Sequence, residues 1–159
     1  MFSNKIKVFL LISICLIFFL ITSFDVKSNK AKVVDGDTIH LNGKKIRFSG
    51  IDTPELKQTC KKNDKIIYCG IKAKKLLIDK IADQKVNCIE EGKDQYKRTL
   101  AECFVNDLSL SSYLVKKGYA FAYRKYSKKF IKDEDYARIN SLGMWSMNFE
   151  FPWDYRRKN

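Results

Sequence analysis

Between Lys30 and Ile51 the chain is cut into three short β-type runs, KAKVV, TIHL and KKIRFSGI, by an Asp-Gly and an Asn-Gly step. Steps of this kind turn a strand back on its predecessor, and Asn42-Gly43 is a strong hairpin signal. The hydrophobic period then changes. Over residues 70–82, GIKAKKLLIDKIA, the apolar Ala73, Leu76, Leu77 and Ile81 share one helical face and lysines occupy the others. QKVNCIEEG (84–92) and RTLAECFV (98–105) return to the strand pattern around a polar turn, KDQY. Helices are predicted over 109–118, closed by Gly118, and over 132–143, with acids in the first turn and Gly143 at the end.

Three strands, a helix, two strands and then helices is the order of a five-stranded OB-type barrel with about three helices, an α+β architecture that is mainly β. The 159 residues, 45% of them hydrophobic, suffice for one such domain and its core, assigned to residues 25–159. Residues 1–24 stand apart from it. Lys5 and Lys7 precede an uncharged run over residues 8–24, the pattern of a secretory signal. The run ends in LITSF without a small-x-small cleavage site and is close to the roughly 17-residue minimum for a membrane span. A cleaved signal is the favoured reading and an uncleaved anchor the alternative. The chain is therefore expected to be exported, periplasmic or extracellular, or else attached to the inner membrane through residues 8–24. Cys15 follows Ile14 rather than a small residue, which argues against lipidation.

Removing Lys5 and Lys7 with this segment lowers the net charge only from +13 to +11. So positive a domain favours a polyanionic partner, either nucleic acid or an anionic membrane surface, although a merely soluble basic surface also fits. Beyond residue 24 there are four cysteines, Cys60, Cys69, Cys88 and Cys103, and an even number in an exported domain implies disulfides. A hairpin centred between Gln95 and Tyr96 places Cys88 opposite Cys103, and Cys60 with Cys69 follows by elimination. A zinc site is disfavoured by the single histidine and the lack of a C-x₂-C pair.

Three clusters carry potential chemistry: DGDT (35–38), RFSGIDTPE (47–55) and YKRTLA (96–101). An Asp-Gly-Asp step is by itself a good turn between strands. Together the clusters supply the parts for phosphodiester cleavage. Asp37, Asp52 and the Thr53 carbonyl offer hard oxygens of the kind Ca2+ takes, with water and phosphate completing its shell. Pro54 holds Thr53 extended and so directs that carbonyl. Arg47 and Arg98 are permanently charged forks suited to phosphate oxygens. Glu55, three residues beyond Asp52, can order or deprotonate a water. His40, the only histidine, reads as a surface strand residue, Trp145 and Phe149 as covers of the barrel end, and the lysines of 72–80 as a solvated helix face.

The order D-G-D-T, R-x₄-D-T-P-E, Y-x-R-x-L-A, spread from about Lys32 to Trp145, resembles the staphylococcal-type thermonucleases, and the cysteines resemble those of an exported, four-cysteine branch of that family. The resemblance implies an OB barrel with three helices and a Ca2+-dependent nuclease that cleaves DNA and RNA and leaves 3′-phosphates. It implies that Asp37, Asp52 and the Thr53 carbonyl are the metal ligands, that Arg47 and Arg98 hold the phosphate, and that Glu55 is the general base or water-orienting residue. Tyr96 and Tyr123 become nucleotide contacts. Lys97 stands where the best-known member has glycine, adding a charge near the phosphate. Residues 56–70 become a stapled loop beside the metal. The enzyme is expected to act as a monomer. Two non-catalytic alternatives remain: an OB module that grips nucleic acid without cutting, and a protein that lies on anionic membrane.

Overall fold

The computed structural model describes residues 30–159. The apolar run over 8–24, expected to be a signal or anchor, lies outside the described residues; among those described, no helix is long and apolar enough to cross a membrane. The principal sheet contains β1 (Lys32–Val33), β2 (Thr38–Leu41), β3 (Lys44–Phe48), β7 (Asn87–Lys93) and β8 (Thr99–Val105). These are the five runs legible in the sequence. Their order is β1-β2-β3-β8-β7, and a two-residue β9 (Leu108–Ser109) pairs with β8. The β3–β8 pair is parallel and the others are antiparallel. The sheet curls into the half-barrel of an OB-like fold. Alternation along β8 turns Ala101, Cys103 and Val105 into the core, where they join Ile39, Leu41, Ile46 and Phe48 from β2 and β3.

Helix α1 (Cys69–Ile81) buries Ala73, Leu77 and Ile81, three of the four residues expected on its apolar face. Helix α2 (Leu110–Lys116) starts where the Ser109 hydroxyl accepts the Ser112 amide at 3.1 Å, a serine N-cap. Helix α3 (Ile131–Ile139) is shorter than expected. It stops before Gly143 because Ser141 enters the left-handed region and the Ser141 and Leu142 amides close on the carbonyls of Arg138 and Ala137. A single 3-10 turn follows at Gly143–Ser146. The fourth helix, α4 (Pro152–Lys158), is not anticipated from the sequence.

The stapled segment 56–70, expected as a loop, contains a hairpin and runs into α1. Strand β5 (Thr59–Lys62) pairs with β6 (Lys65–Tyr68) around Asn63 and Asp64, both at positive φ, 47° and 62°, as a two-residue type I′ turn requires. Both expected disulfides are present. Cys60–Cys69 ties β5 to the start of α1, and Cys88–Cys103 spans the directly opposed positions of β7 and β8. That register holds from Asn87 to Glu90 and then shifts by one residue at a bulge before Gly92. A second apolar cluster gathers Cys60, Cys69, Phe121 and Met144 with Trp145, Phe149, Phe151 and Trp153. Trp145 and Phe149, expected to cover the barrel end, pack in this second cluster around Phe121.

Candidate active site

The turn between β1 and β2 carries two acids with different fates. Asp35 Oδ1 accepts the Asp37 amide at 3.1 Å and closes the bend, the local role of an aspartate in a turn. Asp37 is buried. Its approach to the next loop depends on Gly36, where a Cβ would lie 2.8 Å from Thr53 Oγ1 and 3.0 Å from Ala73 Cβ. Any side chain there would push the loop and α1 away from the turn.

Asp37 Oδ2 accepts the Thr53 amide at 3.2 Å and the Thr53 hydroxyl at 3.0 Å. Its Oδ1 accepts the Thr38 hydroxyl at 3.1 Å and Arg47 Nη1 at 2.7 Å. Arg47 Nη2 reaches Asp52 Oδ1 at 2.9 Å. The sheet makes this meeting possible: Thr38 is paired with Arg47 across β2 and β3, and Asp52 ends β4 (Ile51–Asp52), which pairs with β10 (Phe121–Ala122). One guanidinium thus draws two buried carboxylates into the same small volume. The family resemblance implies that Arg47 holds phosphate; in the structure both aspartates engage it, because carboxylates without solvent need a counter-charge nearby.

A second guanidinium arrives from the end of the chain. Arg156 on α4 donates from Nη2 to Asp52 Oδ2 at 2.6 Å, and from Nη1 to Asp52 Oδ1 at 3.2 Å and to Glu55 Oε1 at 2.9 Å. Nothing local in the sequence marks this residue. Burial pushes the Asp37 carboxyl up to about 7, and Asp35 and Asp52 push the same way against Arg47 and Thr53. Burial disfavours charge on Arg47 and Arg156 as well, yet Asp37 and Asp52 beside the first, and Asp52 and Glu55 beside the second, hold both above the usual arginine range.

Glu55 lies at the solvent edge of the group, its side chain 45% exposed. Its loop is held by Gln58, which is fully buried. Gln58 Oε1 accepts the Glu55 amide at 3.2 Å, its own amide donates to the Glu55 carbonyl at 2.8 Å, and its Nε2 donates to the Glu150 carbonyl at 2.7 Å. Gly70, in the first turn of α1, lets the helix lie directly on this loop, since a Cβ there would overlap the Glu55 carbonyl.

Arg98, Tyr96 and Lys97 form a separate group at the start of β8. Arg47 pairs with Leu100, so alternation places Arg98, two residues earlier, on the same face of the sheet as Arg47. Asp94 organises the turn: its Oδ2 accepts Arg98 Nε at 2.6 Å and its Oδ1 accepts the amides of Tyr96 and Arg98, each at 2.9 Å. Among the described residues the two terminal nitrogens of Arg98 have no protein acceptor. Tyr96 is exposed, with its ring over the Arg98 guanidinium at 5.5 Å. Lys97 sits at φ 61°, a backbone position suited to glycine. Tyr123, expected to contact a nucleotide, stacks on Trp153 at 5.9 Å and meets Tyr126 edge-on. Asp94, Gln58 and Arg156 are the site residues that sequence reasoning missed. Only Asp94 had a signal available, an aspartate opening the polar turn before an arginine.

The fold and the cluster define a class: a small OB-like barrel carrying a buried carboxylate–arginine group assembled from the turn before β2, from β3 and from the end of β4. The chain belongs to the family described as Staphylococcal nuclease homologue, which matches residues 45–147. It is 32% identical over 160 residues to an "Uncharacterized endonuclease" of Haemophilus influenzae, an alignment covering 94% of this chain and 85% of the relative. It is 30% identical to the "Probable staphylococcal-like nuclease CAN2" of Oryza sativa subsp. japonica, over 87% of this chain and 36% of that much longer protein. A third relative, the "SPbeta prophage-derived endonuclease YokF" of Bacillus subtilis, is 34% identical over 74% of this chain and 43% of its own length.

Proposed function

We propose that the chain is a Ca2+-dependent nuclease that hydrolyses phosphodiester bonds of DNA and RNA, leaves 3′-phosphate ends, and works after export or at the inner membrane. The observation that carries this reading is the convergence of Asp37 and Asp52 on one guanidinium with Glu55 alongside. The family and the names of its members support it.

The donor set fits a hard cation. Among the described residues no three His, Cys, Asp or Glu side chains group as a metal site, so an ion held by Asp37, Asp52 and the Thr53 carbonyl takes its remaining ligands from water and substrate, as Ca2+ readily does. When bound, the ion supplies Lewis-acid polarisation of the phosphoryl oxygens. The protein's own groups do the rest. Glu55, half in solvent, orders an attacking water and accepts its proton at a carboxylate oxygen. Arg98 offers its two terminal nitrogens to the phosphate, whose charge grows as the nucleophile adds, and Arg47 supports it from the same face. Tyr96 stacks a base, Tyr123 provides a second aromatic contact, and Lys97 adds positive charge at the backbone of the nucleic acid.

The test is digestion of labelled single-stranded DNA and RNA by the purified protein in Ca2+ or in chelator, with the product ends identified. Cleavage with Ca2+ alone and 3′-phosphate ends are expected; nucleic acid left intact in Ca2+ overturns the reading. One observation favours a non-catalytic nucleic-acid-binding module instead, namely that Arg156 covers both Asp52 and Glu55. Binding without cutting in the same assay would select it.

A further inference from the structure

We propose that Arg156 is a positioning residue of this site and that its guanidinium and a divalent cation exclude each other on Asp52. The inference rests on the Ca2+ reading above. Asp52 is completely buried and both of its carboxylate oxygens are engaged: Oδ1 accepts Arg47 Nη2 and Arg156 Nη1, and Oδ2 accepts Arg156 Nη2. Oδ2 has room for one more partner, but a divalent ion placed there would lie against the guanidinium already on that oxygen, so like-charge repulsion sets a cation at Asp52 against a guanidinium and favours the guanidinium's displacement. Arg47 is the harder one to move. It lies within a central strand, its side chain is 18% exposed, and it also holds Asp37. Arg156 is 37% exposed and belongs to the seven-residue α4.

The helix itself need not leave. Trp153 stacks on Phe151 at 4.7 Å and on Tyr123 at 5.9 Å, and Gln58 holds the Glu150 carbonyl, so α4 has anchors independent of Arg156. Rotation about the arginine's side-chain bonds suffices to free Asp52. The freed guanidinium still lies beside Glu55, within reach of an incoming phosphate. In the metal-free state the same arginine neutralises Asp52 and Glu55, which would otherwise stand as bare charges in and beside a buried pocket. The apparent cation affinity is then the intrinsic affinity reduced by the fraction of molecules with Arg156 displaced.

Calorimetric titration of Ca2+ into the metal-free protein tests this, using Arg156→Ala, Arg156→Lys and, as a matched loss of charge, Arg157→Ala, whose side chain pairs with Asp154 at the surface. If displacement reaches about one molecule in ten, Arg156→Ala binds Ca2+ about tenfold more tightly. Arg156→Lys keeps the charge without the two-pronged hold and binds a few-fold more tightly, while Arg157→Ala matches the parent. The Arg156 side-chain nitrogen resonances of the parent shift on adding Ca2+, and Asp52→Asn abolishes that shift. Equal affinity in all four proteins, or weaker binding by Arg156→Ala, overturns the proposal and leaves the nuclease reading standing. Absence of Ca2+ binding in every form removes the metal reading and this inference with it.

Discussion

Arg47 and Arg98 carry the same charge in different surroundings, so their removal separates structure from chemistry. Arg47→Ala leaves two buried carboxylates facing each other without their bridge, a loss expected to cost about 3 to 5 kcal/mol in metal-free protein. Arg98 pairs with the single half-buried Asp94 at the sheet margin, and Arg98→Ala is expected to cost less than about 1 kcal/mol. On the proposed reading both variants are expected to lose cleavage. Denaturant unfolding beside the digestion assay checks this, and similar stabilities for the two would contradict the bridging role of Arg47. Next to Arg98, Lys97 holds a left-handed backbone that costs an ordinary side chain roughly 1 kcal/mol. Lys97→Gly should raise the melting temperature by about 2 to 4 °C while weakening nucleic-acid binding through the lost charge. Asp94 answers to pH. Desolvation works upward on it, but the Arg98 amide and side chain, the arginine's charge and the Tyr96 amide outweigh this and hold it below the ordinary aspartate value of 3.8. The stability it contributes is full above that value and is lost as pH falls through its lower folded value. Amide resonances of Tyr96 and Arg98 should therefore titrate with a midpoint below 3.8, and Asp94→Asn should abolish the transition. That Asp37, Arg47, Asp52, Thr53 and Glu55 come together was legible because short motifs contain them. Arg156 and Gln58 were not, since each acts on a partner through contacts that only the folded chain creates.

At the scale of elements, legibility followed the range of the signal. The five sheet strands and α1 announce themselves by period and by turn residues. The parallel pairing of β3 with β8 joins segments separated by the hairpin, α1 and β7, and no local pattern encodes it. The β5–β6 hairpin carried only a weaker signal in Asn63-Asp64, which lacks the glycine of Asn42-Gly43, and its strands are mostly exposed, Cys60 excepted, without the alternation of a half-buried strand. Helix α4 likewise begins with Pro152 at its first position, has Asp154 in the first turn and ends in Arg156, Arg157 and Lys158, a charge arrangement that suits the helix dipole. These two unforeseen elements are connected. Lys61 of β5 exchanges backbone hydrogen bonds with Asn148 at 2.8 and 2.9 Å, and the segment that follows leads into α4. Cys60–Cys69 is thus the root of a scaffold that ends at Arg156. Replacing both cysteines by serine should cost about 2.5 kcal/mol for so short a loop and should change the fluorescence of Trp145 and Trp153. Opening Cys88–Cys103 should cost a similar amount through the β7 edge and leave that fluorescence unaltered. Equal fluorescence changes in both variants would argue against a separate route from the first disulfide to the C-terminal helix.

Over the whole molecule the charge is unevenly spent. The net +13 coexists with a pocket in which, among the described residues, Asp37, Asp52 and Glu55 pair only with Arg47 and Arg156, so the excess positive charge lies elsewhere. Much of it is on exposed lysines, including Lys72 and Lys75 of α1 and Lys97 beside Arg98. On the proposed reading, a domain built this way attracts a polyanion at long range and presents it with a carboxylate-lined, cation-binding pocket at short range. The first effect is screened by salt and the second is far less so. Binding of single-stranded DNA by the Glu55→Gln variant should therefore weaken linearly on a log–log plot against salt, with a slope of about −0.7 for each phosphate neutralised. Arg98→Ala in that background should flatten the slope by about the share of one phosphate contact, whereas Lys30→Ala, far along the chain and engaged with Asp83, should leave it unchanged. A slope that is flat, or equally altered by both substitutions, would mean that Arg98 does not touch the backbone of the nucleic acid and that the phosphate must be sought on another face of the barrel.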